Sequence, residues 1–348
     1  IIVANKWMRA NYGGALRTFL MNQHIESIID FGDLPVFASA TTYPCILLIR
    51  NDAPSDSFYG VNVDTLSFAS LEQYVADNSM KVEKSSLTPE AWNLTSDIEA
   101  KLMQKLKSTG IPLGEYVNGK IFRGVLTGLN EAFIITKEQR DELIRQDPKN
   151  AEIIKPFLQG KEIKQYQTPI PSSYLIFFPK GFTAREGNNP RNPSKWMSES
   201  YPAVFQHLLN YEAKAKARYD KGEHWWELRA CDYYDAFEKP KIAWGNLCIK
   251  PSFTLINSPF YINAPSVIIS VEDYYLLGLM NSNVLWYYLI RIAAGRSGGY
   301  IEAKPVYVSQ LPVALCSDTE SGIAVNNQIG NYAKSLLTLN SNLTKAVL

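Results

Sequence analysis

The hydrophobic pattern changes its period along the chain. Ile1–Ala4 reads as a buried strand, Asn11–Gly14 as a turn, and Ala15–Asn22 as a helix with Leu16, Phe19 and Leu20 on one face. Ile25–Phe31 and Thr41–Ile49 are strand-like runs separated by the breaker Gly32-Asp33-Leu34-Pro35. Strand, helix, strand, strand at this spacing fits the end of an α/β sheet, with room for an antiparallel hairpin to close it. Ser57–Leu87 follows neither period and predicts irregular structure. Ser96 then caps a helix over Asp97–Lys107, where Ile98, Leu102 and Leu106 recur at helical spacing.

Beyond Gly110 and Pro112 the texture shifts. Short strands are predicted at Ile121–Val125, Ala132–Thr136, Tyr174–Phe178, Ile242–Trp244 and Val267–Ser270. Two helices stand out, Tyr201–Tyr219 and Val271–Ile292, and the pattern is helical again from Pro312 to Leu348. The expected division is 1–110, 111–314 and 315–348. The fold class is mixed α+β: the remnant of an α/β sheet, then a mixed α/β domain. The chain opens on a strand without Met, so the rest of that sheet is expected upstream of Ile1.

Composition narrows the chemistry. A net charge of +1 excludes a polycation but leaves room for a local basic face. The four cysteines, Cys45, Cys231, Cys248 and Cys316, form no C-x-x-C pair, and the three histidines stand at no metal-ligand spacing. Reduced thiols, a cytoplasmic prokaryotic location and no metal are expected. No apolar run reaches the length of a membrane span. The full phosphate-loop motif and the zincin motif are absent from the sequence.

Four segments carry candidate chemistry. Phe122–Phe133 holds two glycines with Arg123, Thr127 and Asn130, donors suited to phosphate or base edges; the structural alternative is an ordinary strand-turn-strand. Thr183–Trp196 is a polar loop carrying Arg185, Asn188, Asn189, Arg191 and Lys195, side chains that suit guanine and adenine in the major groove, or else a solvated loop. Lys214–Arg229 sets basic residues beside Trp225-Trp226, a stacking surface or a core lid. Arg291–Tyr300 ends a helix in a Gly-rich turn around Arg296, an anion cup or a plain C-cap.

The order of these pieces carries a resemblance. Asn5–Gly13, Ile29-Asp30-Phe31-Gly32 and Ala40–Pro44 resemble the end of the methyltransferase domain of type IIG restriction–modification enzymes, which are DNA adenine-N6 methyltransferases often fused to a nuclease. Phe122–Phe133, Phe157–Ile163, Trp226–Arg229, Phe237–Ile242 and Ser297–Tyr300 resemble the TaqI-like target recognition domain that follows it.

This resemblance implies a module that recognises double-stranded DNA, joined to an upstream methyltransferase half that binds S-adenosylmethionine and flips the adenine. The family's Asn-Pro-Pro-aromatic motif does not occur in this sequence, so no catalytic or cofactor-binding residue is carried over. Base-side candidates are Arg185, Asn188, Asn189, Arg191 and Lys195. Phosphate-side candidates are Lys161, Lys164, Arg229 and Arg296. A rival reading is a protein-interaction scaffold in a phage-defence complex. A carbohydrate-active domain, suggested by the aromatic content, lacks a convincing carboxylate pair.

Overall fold

The computed structural model describes all residues except 39–41, 88, 90, 258, 297, 316–318 and 348; side chains of 97, 344, 345 and 347 are also left aside. Ala40, Thr41, Ser297 and Cys316, named above, therefore lie outside the described residues. The chain divides into two compact units. The first comprises Ile1–Tyr116, Leu247–Pro251 and Ser282–Asp318, the second Val117–Asn246, Ser252–Asn281 and Thr319–Leu348.

In the first unit, strands β1 (Ile2–Ala4), β2 (His24–Asp30), β3 (Pro44–Arg50), β4 (Ser57–Asn62) and β5 (Met80–Glu83) form one sheet in the order β1-β3-β2-β4-β5. Only the β2–β4 pair is parallel; the other three are antiparallel. The expected parallel sheet is thus a mixed one. Ile28, Cys45, Leu47, Phe58 and Val82 bury one face with Trp7 and Trp92, whose rings meet edge to face at 5.5 Å. Helix α1 (Gly14–Met21) matches its expected span within a residue.

Three expectations fail here. Ile1–Ala4 is no buried strand: β1 sits at the sheet edge, with Ile1 and Ile2 74% and 62% exposed. Ser57–Leu87 is not irregular but holds β4, helix α2 (Leu71–Asn78) and β5. Gly60 makes β4 possible, because a Cβ there would meet the Val82 side chain at 2.9 Å. Helix α3 (Asp97–Ser108) forms, with the Ser96 hydroxyl accepting from the Glu99 N–H, yet its Ile98 and Leu102 are exposed.

The second unit holds two four-stranded sheets. One runs Tyr261–Ile262, Ile154–Leu158, Ser173–Ile176, Ile134–Thr136; the other runs Thr254–Ile256, Lys241–Trp244, Val267–Ile269, Ile121–Arg123. Its core explains the high aromatic content. Phe133, Phe157, Phe178, Trp226, Phe237 and Tyr261 are essentially inaccessible, each contributing about 2–3 kcal/mol by burial. Phe237 stacks on Tyr261 at 5.3 Å, and Phe205 meets Trp226 edge to face at 5.7 Å. Trp225-Trp226 is therefore core, not a stacking surface.

Both long helices expected in 201–292 are broken. Tyr201–Tyr219 resolves into Pro202–Leu209 and Glu212–Ala217. Val271–Ile292 resolves into Tyr274–Met280, capped by Asp273, and Asn283–Ile292, capped by Ser282. Pro312–Ala314 is a strand, and the terminal helix runs Glu320–Val347. No helix among the described residues is long and apolar enough to cross a membrane.

Candidate nucleic-acid interface

The polar loop after Phe182 is built on a buried carboxylate. Glu227 is fully inaccessible, and its side chain accepts from the backbone N–H groups of Gly181 (3.0 Å), Thr183 (3.0 Å), Glu223 (2.9 Å) and His224 (3.4 Å). The Trp226 indole N–H donates to the Thr183 hydroxyl at 2.9 Å. Buried polar groups must be paired in this way, and the pairing fixes where the loop begins. A short helix, Phe182–Glu186, follows; Asn188 and Asn189 then both adopt left-handed φ of 51°, a region Asn tolerates better than most residues. The Asn192 side chain caps the next helix, Pro193–Ser200, accepting from the Lys195 N–H at 3.1 Å.

On this frame Arg185, Asn188, Asn189, Arg191 and Lys195 are all exposed. Arg185 donates to the neighbouring Glu186 at 2.9 Å and sits 5.9 Å from the Phe182 ring centroid. Lys195 is 3.8 Å from Glu199. Such exposed pairs are weak enough to be exchanged for another anion.

Two adjoining concavities lie beside this loop in the second unit. One, of about 270 Å³, is lined by Arg123, Gly124, Val125, Leu126 and residues 229–234. The other, of about 640 Å³, is lined among others by Lys180, Arg185, Asp235, Glu238 and Tyr261. Ala230, Cys231, Asp232 and Tyr234 line both. Phe122 stacked on Tyr233 at 4.7 Å holds the 229–234 turn against the Ile121–Arg123 strand. Gly124 allows close backbone approach, since a Cβ there would meet the Ile262 carbonyl oxygen at 2.4 Å. Burial pushes the Cys231 thiol and the Tyr234 phenol up, so both stay protonated near neutrality and the surface carries no activated nucleophile.

The structure therefore brings Arg123, Arg185 and Arg229 together around the concavities. Lys180, which the sequence reading passed over, joins them; its position just before the Gly181 turn was the available signal. Arg229 is 3.5 Å from Asp220. Lys161 and Lys164 are exposed but line neither concavity.

Two candidates are placed otherwise than expected. Thr127 is 2% exposed, and its hydroxyl donates to Asn130 Oδ1 at 2.6 Å while accepting from the Leu129 N–H, so it braces a turn and leaves only exposed Asn130 near the surface. Arg296 belongs to the first unit, where the Gly295–Arg296 strand pairs with Tyr300–Glu302 and its guanidinium is neutralised by the buried Glu302 carboxylate. A third charge, Arg218, is also internal: it donates to the carbonyls of Thr127, Trp225 and Glu227 at 2.7, 2.6 and 2.9 Å.

The family of TaqI-like C-terminal specificity domains matches residues 155–313. Both the 181–196 loop and the 229–234 turn fall inside the matched segment. The type II methyltransferase M.PaeR7I of Pseudomonas aeruginosa is 26% identical over 152 residues, covering 40% of this chain and 26% of that protein. The type II restriction enzyme and methyltransferase RM.Eco57I of Escherichia coli is 27% identical over 144 residues, covering 40% of this chain and 14% of that protein. The chain thus matches about a quarter of the first of these curated relatives and less of the second. The structure of the type IIL restriction-modification enzyme MmeI in complex with DNA shares the fold, with a TM-score of 0.55 and 11% identity over 94% of this chain and 40% of that one.

The first unit has its own concavity, of about 370 Å³, lined by Asn5, Asp30, Tyr43, Arg296, Tyr300 and Glu302 among others. Some of its polar groups pair with one another: Asn5 donates to Asp30 at 2.7 Å, and Glu302 holds Arg296 and Lys304, whereas the buried Arg9 Nε has no hydrogen-bond partner among the described residues. Gly32, Gly295 and Gly299 are part of this lining. Gly13, outside it, packs closely against the Trp7 carbonyl and Arg17. Among the described residues no group of three His, Cys, Asp or Glu could hold a metal ion.

Proposed function

We propose that this chain reads a short sequence in duplex DNA and positions an adenine-N6 methyltransferase half, which uses S-adenosylmethionine, over the target base. The observation that carries the proposal is the specificity-domain match together with the exposed Arg/Asn loop, residues 185–195, which lies inside it. The loop's donors suit base edges in the major groove: Arg to guanine, Asn to adenine. Lys161, Lys164 and Arg229, with Arg123 and Lys180, supply charge for the phosphates. Arg296 leaves that set because it belongs to the first unit, where it pairs with Glu302. The recognition segment is proposed to span 111–314, with 1–110 continuing the methyltransferase part, in a cytoplasmic prokaryotic protein. The similarity to M.PaeR7I and RM.Eco57I supports a methyltransferase partner half.

Anisotropy titrations of a labelled duplex at several salt concentrations test this. Log affinity should fall linearly with log salt, by about 0.9 per phosphate contact. The scaffold reading instead predicts capture of a protein partner with no salt-dependent duplex binding.

A further inference from the structure

We propose that Asp232 is a base-reading residue, a carboxylate that accepts from the exocyclic amino group of a cytosine. The inference rests on the DNA-recognition reading above and deepens it. Asp232 lies in the exposed turn 229–234, on the wall shared by both concavities. Arg123 and Arg229 line one side of that wall, Lys180 and Arg185 the other. None of these cations closes on Asp232. Arg229 goes to Asp220 and Arg185 to Glu186, and no ion pair or side-chain hydrogen bond engages the Asp232 carboxylate among the described residues. The turn that presents it is fixed, through Tyr233 stacked on Phe122 and the Tyr234 hydroxyl donating to the Arg229 carbonyl at 3.1 Å.

Asp235 and Glu238 also line the larger concavity, Glu238 being held by Tyr261 and Lys155, and an open carboxylate on a surface that meets a polyanion repels phosphates unless it faces a donor. In the major groove the donors are amino groups: N4 of cytosine, for which Asp and Glu are the matching acceptors, and N6 of adenine, which Asn fits better because its neighbour N7 is an acceptor. Asp232 therefore has the chemistry to favour a C·G pair at one position, flanked by the arginines that hold the backbone.

The test compares native full-length protein with Asp232→Ala and Asp232→Asn on a randomised duplex pool, sequencing the retained DNA. Asp232→Ala should flatten the preference at a single position by about tenfold and leave other positions unchanged. Asp232→Asn should move that position from cytosine toward adenine. Unchanged preferences in both variants overturn the inference while leaving sequence-specific binding intact. A uniform gain in affinity with a steeper salt slope also overturns it, placing Asp232 beside phosphates. Failure of the native protein to enrich any sequence would sink the recognition reading itself.

Discussion

The backbone N–H of Thr183 donates to the carboxylate of Glu227 across 44 residues of chain, at 3.0 Å and without solvent. This bond and its three companions tie the start of the candidate reading loop to the Trp225-Trp226 core. Glu227→Ala would strand four backbone donors, two of them at the loop's first turn. The unfolding free energy should fall by about 3 kcal/mol. Urea unfolding followed by tryptophan fluorescence measures it, and a loss under about 1 kcal/mol contradicts the anchoring role.

Arg218 performs the complementary task. Its planar guanidinium donates to the carbonyls of Thr127, Trp225 and Glu227 and lies 4.6 Å from the Phe133 ring centroid. A lysine keeps the charge but cannot match that fork. Arg218→Lys should therefore cost about 2–4 kcal/mol of stability, with little of it recovered at low salt. A near-neutral effect in the same unfolding assay would contradict this bracing role.

Base-side and phosphate-side candidates should separate in a gel-shift series. Arg191, exposed in the loop, should lose about 1–3 kcal/mol of binding to the preferred duplex on conversion to Ala and discriminate less at one base pair. Lys161→Ala should weaken all duplexes alike and lower the salt slope by about 0.9. If Arg191→Ala leaves affinity and preference unchanged, its assignment fails.

His207 supplies a pH dependence. Burial depresses its pKa below 6.5, and its Nε2 faces the Ala132 carbonyl at 3.1 Å. The folded chain thus resists protonation more than the unfolded chain. The contribution is intact above about pH 6.5, is lost as pH falls below that value, and levels off once the folded pKa is passed. Replacing His207 with Gln should shrink the difference in urea midpoint between about pH 7.5 and about pH 5.5. An equal pH response in both proteins would place the sensitivity elsewhere.

What the sequence made legible follows from how local each signal was. The helix capped by Ser96 and the strand His24–Asp30 were readable because cap and period lie within a few residues of each other. The break in Val271–Ile292 was not, although Asp273 and Ser282 are ordinary caps. What stops the helix is tertiary: Asn281 is 7% exposed and exchanges hydrogen bonds with the N–H and carbonyl of Phe253. β4 was missed because its partners, β2 and β5, lie outside any local window. In the candidate site, the polar 181–196 loop was visible from its composition, whereas the placement of Thr127 and Arg296 depended on Asn130 and Glu302 as they stand in the fold. Asp232 could be found only once the concavities were seen.

Enrichment from a randomised duplex pool by the full-length protein tests the central claim most directly. The account predicts that sequencing the retained DNA yields one short consensus, and that it disappears when Arg185, Asn188, Asn189 and Arg191 are replaced together by Ala in a protein that still folds. Retention without any consensus, or a consensus untouched by the fourfold change, would contradict it.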